Sequence, residues 1–289
     1  MKVAGVSGAA LAVNSCAPQA VKKRSVYDMA GVSDVNPDRV LLGELTRKEV
    51  RDWFGSGNLK AAIIPTGSTE QHNEHMALSM DNEAAKIMAQ LTAIKLSPNV
   101  VVTPPVLFGM CPFFMQRRGS ITIREEIFSG LVHDICSSMK THGIEAILIV
   151  NGHGGNSRAL RKISKAASEE LGIPIEAYSY WSSIARDQRL EFTESGSVPG
   201  HADELETSFA MAAFPERLRD VTYNEEEVYS WEADQKDLDR VGFYEPDWFS
   251  KEFDKSSFEE SKLASAEKGE KVIKHATGWL ADKLTAMMG

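Results

Sequence analysis

The sequence has few cysteines, no long apolar run and no excess of positive charge, and each absence excludes a class of protein. Its 289 residues include three cysteines, Cys16, Cys111 and Cys136, and no Cys-x-x-Cys pair. A disulfide framework and a cysteine-based zinc finger are therefore excluded. No apolar run approaches the roughly 18 residues that cross a bilayer. The formal net charge of −9, without a block of Lys or Arg, argues against nucleic acid as the main partner.

The N-terminus differs from the rest of the chain. Residues 3–13 are small and apolar and end at Asn14-Ser15-Cys16, and a polar stretch without clear periodicity follows. This pattern predicts an export signal and tether over residues 1–37, resembling a twin-arginine or lipoprotein signal, with membrane anchoring through Cys16 as one outcome. The alternative is a frayed N-terminal helix of a cytoplasmic protein. Residues 38–289 form the predicted catalytic domain.

From residue 41 onward, short apolar strands alternate with amphipathic helices. Lys60–Pro65, Val100–Val102, Ile144–Val150 and Ile173–Tyr178 have the length and composition of buried strands. Helical spacing of apolar residues follows each of the first three strands. This alternation predicts an α/β fold of three layers, α/β/α, with a mainly parallel central sheet. The acidic, aromatic stretch 224–260 is predicted to be a solvated insertion, or alternatively a lid or subunit contact.

Three polar clusters follow predicted strands. They are residues 67–75 with Asp81 nearby, residues 151–156, and residues 201–208. In parallel α/β sheets, ligands bind beyond the carboxyl ends of the strands, so these clusters are expected to converge. Histidines and carboxylates without cysteine suit Zn²⁺, Mn²⁺ or Fe²⁺, and one carboxylate can bridge two ions. The candidate ligands are Glu70, His72, Asp81 and His153.

The same residues resemble the creatininase family of metal-dependent amidohydrolases. The resemblance rests on Pro65–His72, Asp81, Asn151–Asn156 and His201–Ser208, in the family's order, and more weakly on Ala266–Gly269. It implies the three-layer fold, a homo-oligomer such as a hexamer, and two divalent metal ions per subunit. The expected reaction is hydrolysis of a non-peptide or unusual amide C–N bond in a small molecule, such as a cyclic amide or formamide.

Residue roles follow from the resemblance by motif position. Glu70, Asp81 and His153 would hold one ion, and His72 with the shared Asp81 would hold the other. His201 would carry the proton to the leaving nitrogen, and Trp181 would cover the substrate. Creatinine-cleaving members have a tyrosine and a ligating glutamate where this chain has Gly154 and Gly155, so creatinine itself is not the expected substrate.

The missing glutamate leaves the second ion one protein ligand short. We expect Glu204 to supply it, because a helix beginning at His201 would place residues 201 and 204 on one face. Glu206, two residues further, would then point about 200° away. Two other functions use the same residue types: a metal-dependent phosphoesterase, and an exported binding protein that keeps the fold without catalysis.

Overall fold

The computed structural model describes residues 37–241 and 251–289. The strands are β1 (Ala61–Thr66), β2 (Val100–Val102), β3 (Ala146–Asn151) and β4 (Ile175–Ser179). The helices, in chain order, are α1 (Arg47–Phe54), α2 (Met80–Lys95), α3 (Glu125–Thr141), α4 (Ser157–Leu171), α5 (Arg189–Phe192), α6 (Glu204–Ala213), α7 (Glu225–Val228), α8 (Gln235–Val241), α9 (Lys251–Ser261) and α10 (Ala266–Met288).

The four strands form one parallel sheet in the order β2-β1-β3-β4. Ala61 pairs with Val100 on one side and with Ala146 on the other, and Ile147 pairs with Ile175. Every residue of the first three strands is buried. Strands covered on both faces need apolar residues throughout, which explains why they read as continuous apolar runs rather than as alternating ones.

Helices cover both faces of the sheet, as the sequence predicts. Alternate strand residues point to opposite faces, so Ile63 and Leu148 pack with α2, α6 and α10, whereas Ile64 and Ile149 pack with α3 and α4. The three-layer α/β/α architecture is therefore confirmed. Within the described ranges, no helix is long and apolar enough to cross a membrane.

The two segments that differ from the domain in composition are only partly described. The predicted signal and tether, including Cys16, lie outside the described residues except for Pro37. In the acidic stretch, Asp254, Ser257 and Phe258 of α9 are buried, whereas Trp231 is 71% exposed. The aromatic residues at positions 243, 244, 248 and 249 lie outside the described residues. The described part of this stretch therefore packs on the domain instead of standing free in solvent.

Candidate metal centre

Polar side chains join the carboxyl ends of three strands. The Asn151 amide Nδ2 donates to Ser179 Oγ (2.9 Å) and to the carbonyl oxygen of His153 (2.6 Å). Its Oδ1 accepts from Thr66 Oγ1 and from the backbone N–H of His153, both at 3.2 Å. One buried amide thus fixes the ends of β1, β3 and β4 relative to one another. The loops that leave these strands start from fixed positions.

A glycine brings two of these loops together. A Cβ atom on Gly152 would lie 2.1 Å from the carbonyl oxygen of Asp81, at the start of α2. Only glycine permits this approach, which sets Asp81 beside His153. Gly152 and Asp81, which are 71 positions apart in the sequence, therefore meet for a steric reason.

Three carboxylates and two imidazoles lie within contact distance there. His72 Nε2 is 3.0 Å from Asp81 Oδ1 and 3.6 Å from Glu206 Oε2. His153 Nδ1 is 3.0 Å from Asp81 Oδ2 and 3.1 Å from Glu70 Oε1. Asp81 therefore presents one oxygen to each imidazole. All five residues are buried.

Both imidazoles are held so that one nitrogen faces the carboxylates. The opposite nitrogen of His72, Nδ1, is 3.2 Å from the carbonyl oxygen of Glu70. The opposite nitrogen of His153, Nε2, is 3.0 Å from the carbonyl oxygen of Met110. A carbonyl accepts only, so each outer nitrogen carries a hydrogen. The inner nitrogen is then free to offer its lone pair, as metal-ligating histidines do.

The pKa shifts show that the cluster attracts positive charge. Burial opposes protonation of His72, but Asp81, Glu206 and Glu70 outweigh it and raise its pKa to about 10. His153 follows the same pattern, with its pKa well above the ordinary value because of Glu70 and Asp81. Burial, together with the charges of Asp81 and Asp203, raises the pKa of Glu206 to about 8 despite the charge of His72. Without a cation, protons on these groups take its place.

The donor set fits one or two divalent ions. Two overlapping groups have ligand atoms close enough to share an ion: Glu70, Asp81 and His153, and His72, Asp81 and Glu206. A third close group consists of Glu70, His72 and His201. Glu70 Oε2 is buried and has no hydrogen-bond partner among residues 37–241 and 251–289. A buried carboxylate oxygen needs a donor or a cation, and a bound ion would satisfy it.

The prediction for Glu204 is wrong. Its Oε1 and Oε2 accept from the backbone N–H groups of Glu194 (2.9 Å) and Ser195 (2.8 Å), and Oε1 also binds Lys268 Nζ (2.6 Å). The pKa of Glu204 is lowered because these hydrogen bonds, the one from Lys268 foremost, outweigh the effect of burial. This carboxylate is fully engaged away from the cluster.

The reason is the starting point of helix α6. The helix begins at Glu204, with Asp203 as its N-cap accepting from the backbone N–H of Glu206 (3.2 Å), so His201 is not part of it. Ala202 has φ of +51°, which turns the chain between His201 and the helix. The separation of about 200° between residues 204 and 206 holds, but Glu206 is the one that faces the cluster.

Position 155 has no room for the ligating glutamate that creatinine-cleaving members are expected to carry there. A Cβ on Gly155 would lie 2.2 Å from the Met110 carbonyl oxygen and 2.4 Å from His153 Nε2. A side chain there would displace the loop that orients His153. In this chain the third carboxylate therefore comes from α6.

His201 differs from the other two imidazoles. Its Nδ1 is 3.8 Å from Glu70 Oε1, and its ring stacks on Phe114 at 4.4 Å. Its Nε2 is 2.9 Å from Gln71 Nε2. Because Gln71 Oε1 accepts from the backbone N–H of Asn73 (2.8 Å), the amide NH₂ must face the ring and donate to it. The outer nitrogen of His201 is thus an acceptor.

This hydrogen bond favours a neutral ring. Burial and the charge of His72 hold the pKa of His201 well below its ordinary value. No feature of the sequence singles out Gln71, although it stands between two predicted ligands, Glu70 and His72. Asn73 has φ of +56°, a left-handed conformation that asparagine tolerates better than most residues, and this turn aims its N–H at Gln71.

Aromatic side chains close the site into a cavity of about 250 Å³. Trp181, predicted to cover the substrate, lies on its wall, in the short turn that follows β4. Phe113 and Phe114 line the same cavity, together with Glu70, Asp81, His153, His201 and Glu206. The cavity can therefore enclose a small molecule between apolar walls and a charged floor.

Comparison with known proteins identifies the family. The Creatininase family model, described as creatinine amidohydrolase, matches residues 43–284. The creatinine amidohydrolase of Pseudomonas putida is 23% identical over 275 residues, covering 85% of this chain and 96% of its own length. The 3-dehydro-scyllo-inosose hydrolase of Thermotoga maritima is 27% identical over 62% of this chain, and the match spans 58% of that protein. The mycofactocin precursor peptide peptidase of Mycobacterium ulcerans is 27% identical, over 53% of this chain and 58% of its own.

Solved structures share the fold. A creatinine amidohydrolase (creatininase) structure superposes with a TM-score of 0.65 at 22% identity, over 86% of this chain and 97% of that one. A creatininase structure described as the Mn form gives a TM-score of 0.64 at 22% identity, over 86% and 98%. A mutant creatininase described as Zn–Zn type gives 0.64 at 22% identity, over 86% and 97%. Since the family model covers most of the domain, the chain belongs to the creatininase family, whose members are metal-dependent amidohydrolases.

Proposed function

We propose that this protein hydrolyses a C–N amide bond in a small molecule, using two divalent ions, Zn, Mn or Fe, held at the carboxyl end of the sheet. The observation that carries the proposal is the orientation of His72 and His153. Each donates its outer N–H to a backbone carbonyl and offers its inner nitrogen to the carboxylates. Metal-ligating histidines are held in this way, with the outer N–H on a carbonyl and the inner nitrogen among carboxylates that can share the ion.

The ligand assignment follows the two overlapping groups. Glu70, Asp81 and His153 would hold one ion, and His72, Asp81 and Glu206 the other. Asp81 would serve both ions, since its two oxygens face different imidazoles. Three protein ligands for each ion leave positions open for water and substrate. Bound divalent ions would make water acidic and polarise the amide carbonyl.

His201 is assigned to proton transfer rather than to metal binding. Although it lies near Glu70 and His72, its outer nitrogen accepts from Gln71 instead of donating to a carbonyl. The leaving nitrogen needs a proton, and the attacking water loses one. For Nδ1 of His201 to take up that proton, the Gln71 amide must turn so that its oxygen accepts from Nε2–H. Gln71 therefore controls which side of the ring is protonated.

The substrate is a small amide. Trp181, Phe113 and Phe114 would hold its apolar part and exclude water from the reacting bond. The names of the relatives point to different substrates, namely creatinine, 3-dehydro-scyllo-inosose and the mycofactocin precursor peptide. The family thus supports hydrolysis without selecting the molecule.

A metal analysis with a paired variant tests the assignment. We expect two ions per chain in the wild type, about one in Glu206→Gln, and two in Glu204→Gln, because Glu204 serves Lys268 and two backbone amides. Melting temperatures check that both variants fold. Equal loss of metal in both variants would contradict the assignment.

A substrate screen tests the reaction. Cyclic amides, formamides and phosphoesters are offered to the metal-free and metal-reloaded enzyme, and ammonia, amine or phosphate release is measured. We expect metal-dependent turnover of an amide. Turnover of phosphoesters alone would favour a phosphoesterase, and metal binding with no turnover would favour a binding protein.

Two further proposals concern the whole protein. We propose a homo-oligomer, which light scattering of the purified protein tests. We also propose export directed by residues 1–16, with lipid attachment at Cys16 as one route. Cell fractionation of the full-length protein and of a variant lacking these residues tests export, and cytoplasmic protein with an intact N-terminus would contradict it.

A further inference from the structure

The metal cavity lies next to a larger groove. The groove has a volume of about 550 Å³ and shares three wall residues with the cavity, namely Phe113, Gly154 and Gly155. A Cβ atom on Gly154 would meet no atom within 4 Å, and its φ is not in the left-handed region. Residue 154 therefore leaves space at the boundary between the cavity and the groove because it has no side chain, and a larger residue would fill that space without backbone strain.

Charge on the groove wall is not balanced. The groove is lined by Arg124, Arg158 and Arg161 and by two acidic residues, Glu125 and Glu126. Both acids are already engaged: Lys162 Nζ lies 2.6 Å from Glu125 Oε1, and Arg124 Nε lies 3.1 Å from Glu126 Oε1.

The other two arginines of the groove, Arg158 and Arg161, are not paired with either acid. Both side chains are exposed, one turn apart near the start of α4. Within the described ranges neither guanidinium has a hydrogen bond or an ion pair, and Arg158 acts on Glu125 only through its charge. Two guanidinium groups at i and i+3 can together bind one carboxylate or phosphate group.

We propose that the substrate of this enzyme is an anionic amide whose reacting bond lies in the metal cavity and whose carboxylate or phosphate end lies in the groove, bound by Arg158 and Arg161. This inference rests on the proposed metal centre and adds the charge and length of the substrate. The apolar residues Met110, Phe113 and Ile123, which also line the groove, suit a short hydrocarbon spacer between the two ends.

Hydroxamates test the inference without knowledge of the substrate, because a hydroxamate chelates a catalytic metal whatever its tail. The full-length, metal-loaded protein is titrated calorimetrically with monohydroxamates of dicarboxylic acids with two to six methylenes. Alkyl hydroxamates of equal length are the neutral references, and phosphonate-tailed analogues distinguish phosphate from carboxylate recognition. We expect one spacer length at which an anionic tail binds about five- to tenfold more tightly than the neutral one, and less so in high salt.

Variants assign the preference to the groove. Arg158→Ala with Arg161→Ala should abolish the preference for the anionic tail while leaving neutral hydroxamate binding unchanged. Lys165→Ala, on the same helix outside the groove, should keep it. Gly154→Phe should weaken the long probes only, whereas Gly154→Ala should not.

Two results would overturn the inference alone: equal binding of anionic and neutral tails at every length, or a preference that survives loss of both arginines. Failure of all hydroxamates to bind the metal-loaded protein would contradict the metal centre itself, and the substrate inference with it. The two failures are therefore distinguishable.

Discussion

Two clusters of buried charge lie within this domain, and they are built differently. In one, Arg117 contacts the carboxylates of Glu232 and of Asp254 (Nη2 to Oδ2, 2.9 Å), and the Tyr229 hydroxyl donates to the same Asp254 oxygen (2.7 Å). In the metal centre, the charged partners of Glu70, Asp81 and Glu206 among the described residues are imidazoles, and Glu206 Oε2 also accepts from the backbone N–H of Ala202 (2.7 Å).

The difference lies in how the charge is neutralised. The Arg117 cluster contains a permanent cation, which contacts both of its carboxylates. The metal centre depends on protons for its positive charge, which raises the pKa of His72 to about 10 and leaves Glu70 Oε2 without a hydrogen-bond partner among the described residues. A cluster with a permanent cation is an ion-pair network of the fold, whereas buried carboxylates that face titratable imidazoles indicate a candidate cation site.

The largest effect is expected at Asp81, which both ligand groups share. Asp81→Asn removes the bridging charge, and we expect metal content near zero and no measurable amide hydrolysis. Elemental analysis and turnover on the best substrate of the screen measure this. Asp254→Asn, in the Arg117 cluster, is the matched control, and this variant should retain the metal of the metal centre. A fully loaded Asp81→Asn protein would show that the bridge is misassigned.

His201→Asn should lower the rate by roughly 10² to 10⁴ while metal content stays at the wild-type level, because this imidazole transfers a proton and does not ligate. Loss of metal from His201→Asn would instead make His201 a ligand.

Gln71→Leu should shift the pH profile of the rate, since the amide no longer favours the neutral form of the His201 ring.

Arg117→Ala should lower the free energy of unfolding by about 3 kcal/mol, because it leaves the buried Asp254 and the partly buried Glu232 without their cation. The expected change is in stability alone, so denaturant unfolding and metal content are measured on the same sample. A decrease in bound metal at unchanged stability would erase the distinction between the two clusters.

The smallest effect concerns His75, which is buried beside the metal centre and hydrogen-bonded to Thr207 Oγ1 (2.8 Å). Burial and the charge of His72 lower its pKa from 6.5 to about 4. Between these values the unfolded chain binds the proton and the folded chain does not, so stability decreases as the pH falls. From pH 7 to pH 5 we expect a loss of about 2 kcal/mol that is absent in His75→Gln. Equal pH dependence in both proteins would exclude this group as the cause.

Much of the fold was predictable because its signals are local. Continuous apolar runs identify strands buried on both faces, and the run at residues 144–150 corresponds to β3 within two residues at its start. The start of α1 is another local feature, a capping box in which Glu49 Oε2 accepts from the Thr46 N–H at 2.8 Å. Such features depend on neighbours within one or two turns.

The convergence of site residues in the segments that follow the strands was equally predictable from the sequence. Glu70, His72, Asp81, His153 and His201 converge as expected, because parallel strands deliver their loops to one edge of the sheet. Glu206 was not found because its assignment depends on the first residue of α6. The prediction assumed a helix that includes His201. Asp203 caps the helix and the turn at Ala202 separates His201 from it, so the direction of His201 does not predict which of the two glutamates faces the cluster.

Gln71 shows a different limit. Its role depends on the hydrogen bond from the Asn73 N–H, which orients the amide, and on a histidine 130 residues away. No local pattern encodes that pair.

The central claim is that the metal centre holds two ions and that Asp81 serves both of them. The most direct test is a crystal structure of the protein loaded with Zn or Mn, with anomalous difference maps collected on both sides of the metal edge. The account predicts two peaks, one among Glu70, Asp81 and His153 and one among His72, Asp81 and Glu206. A single peak, or ions located away from Asp81, would contradict it.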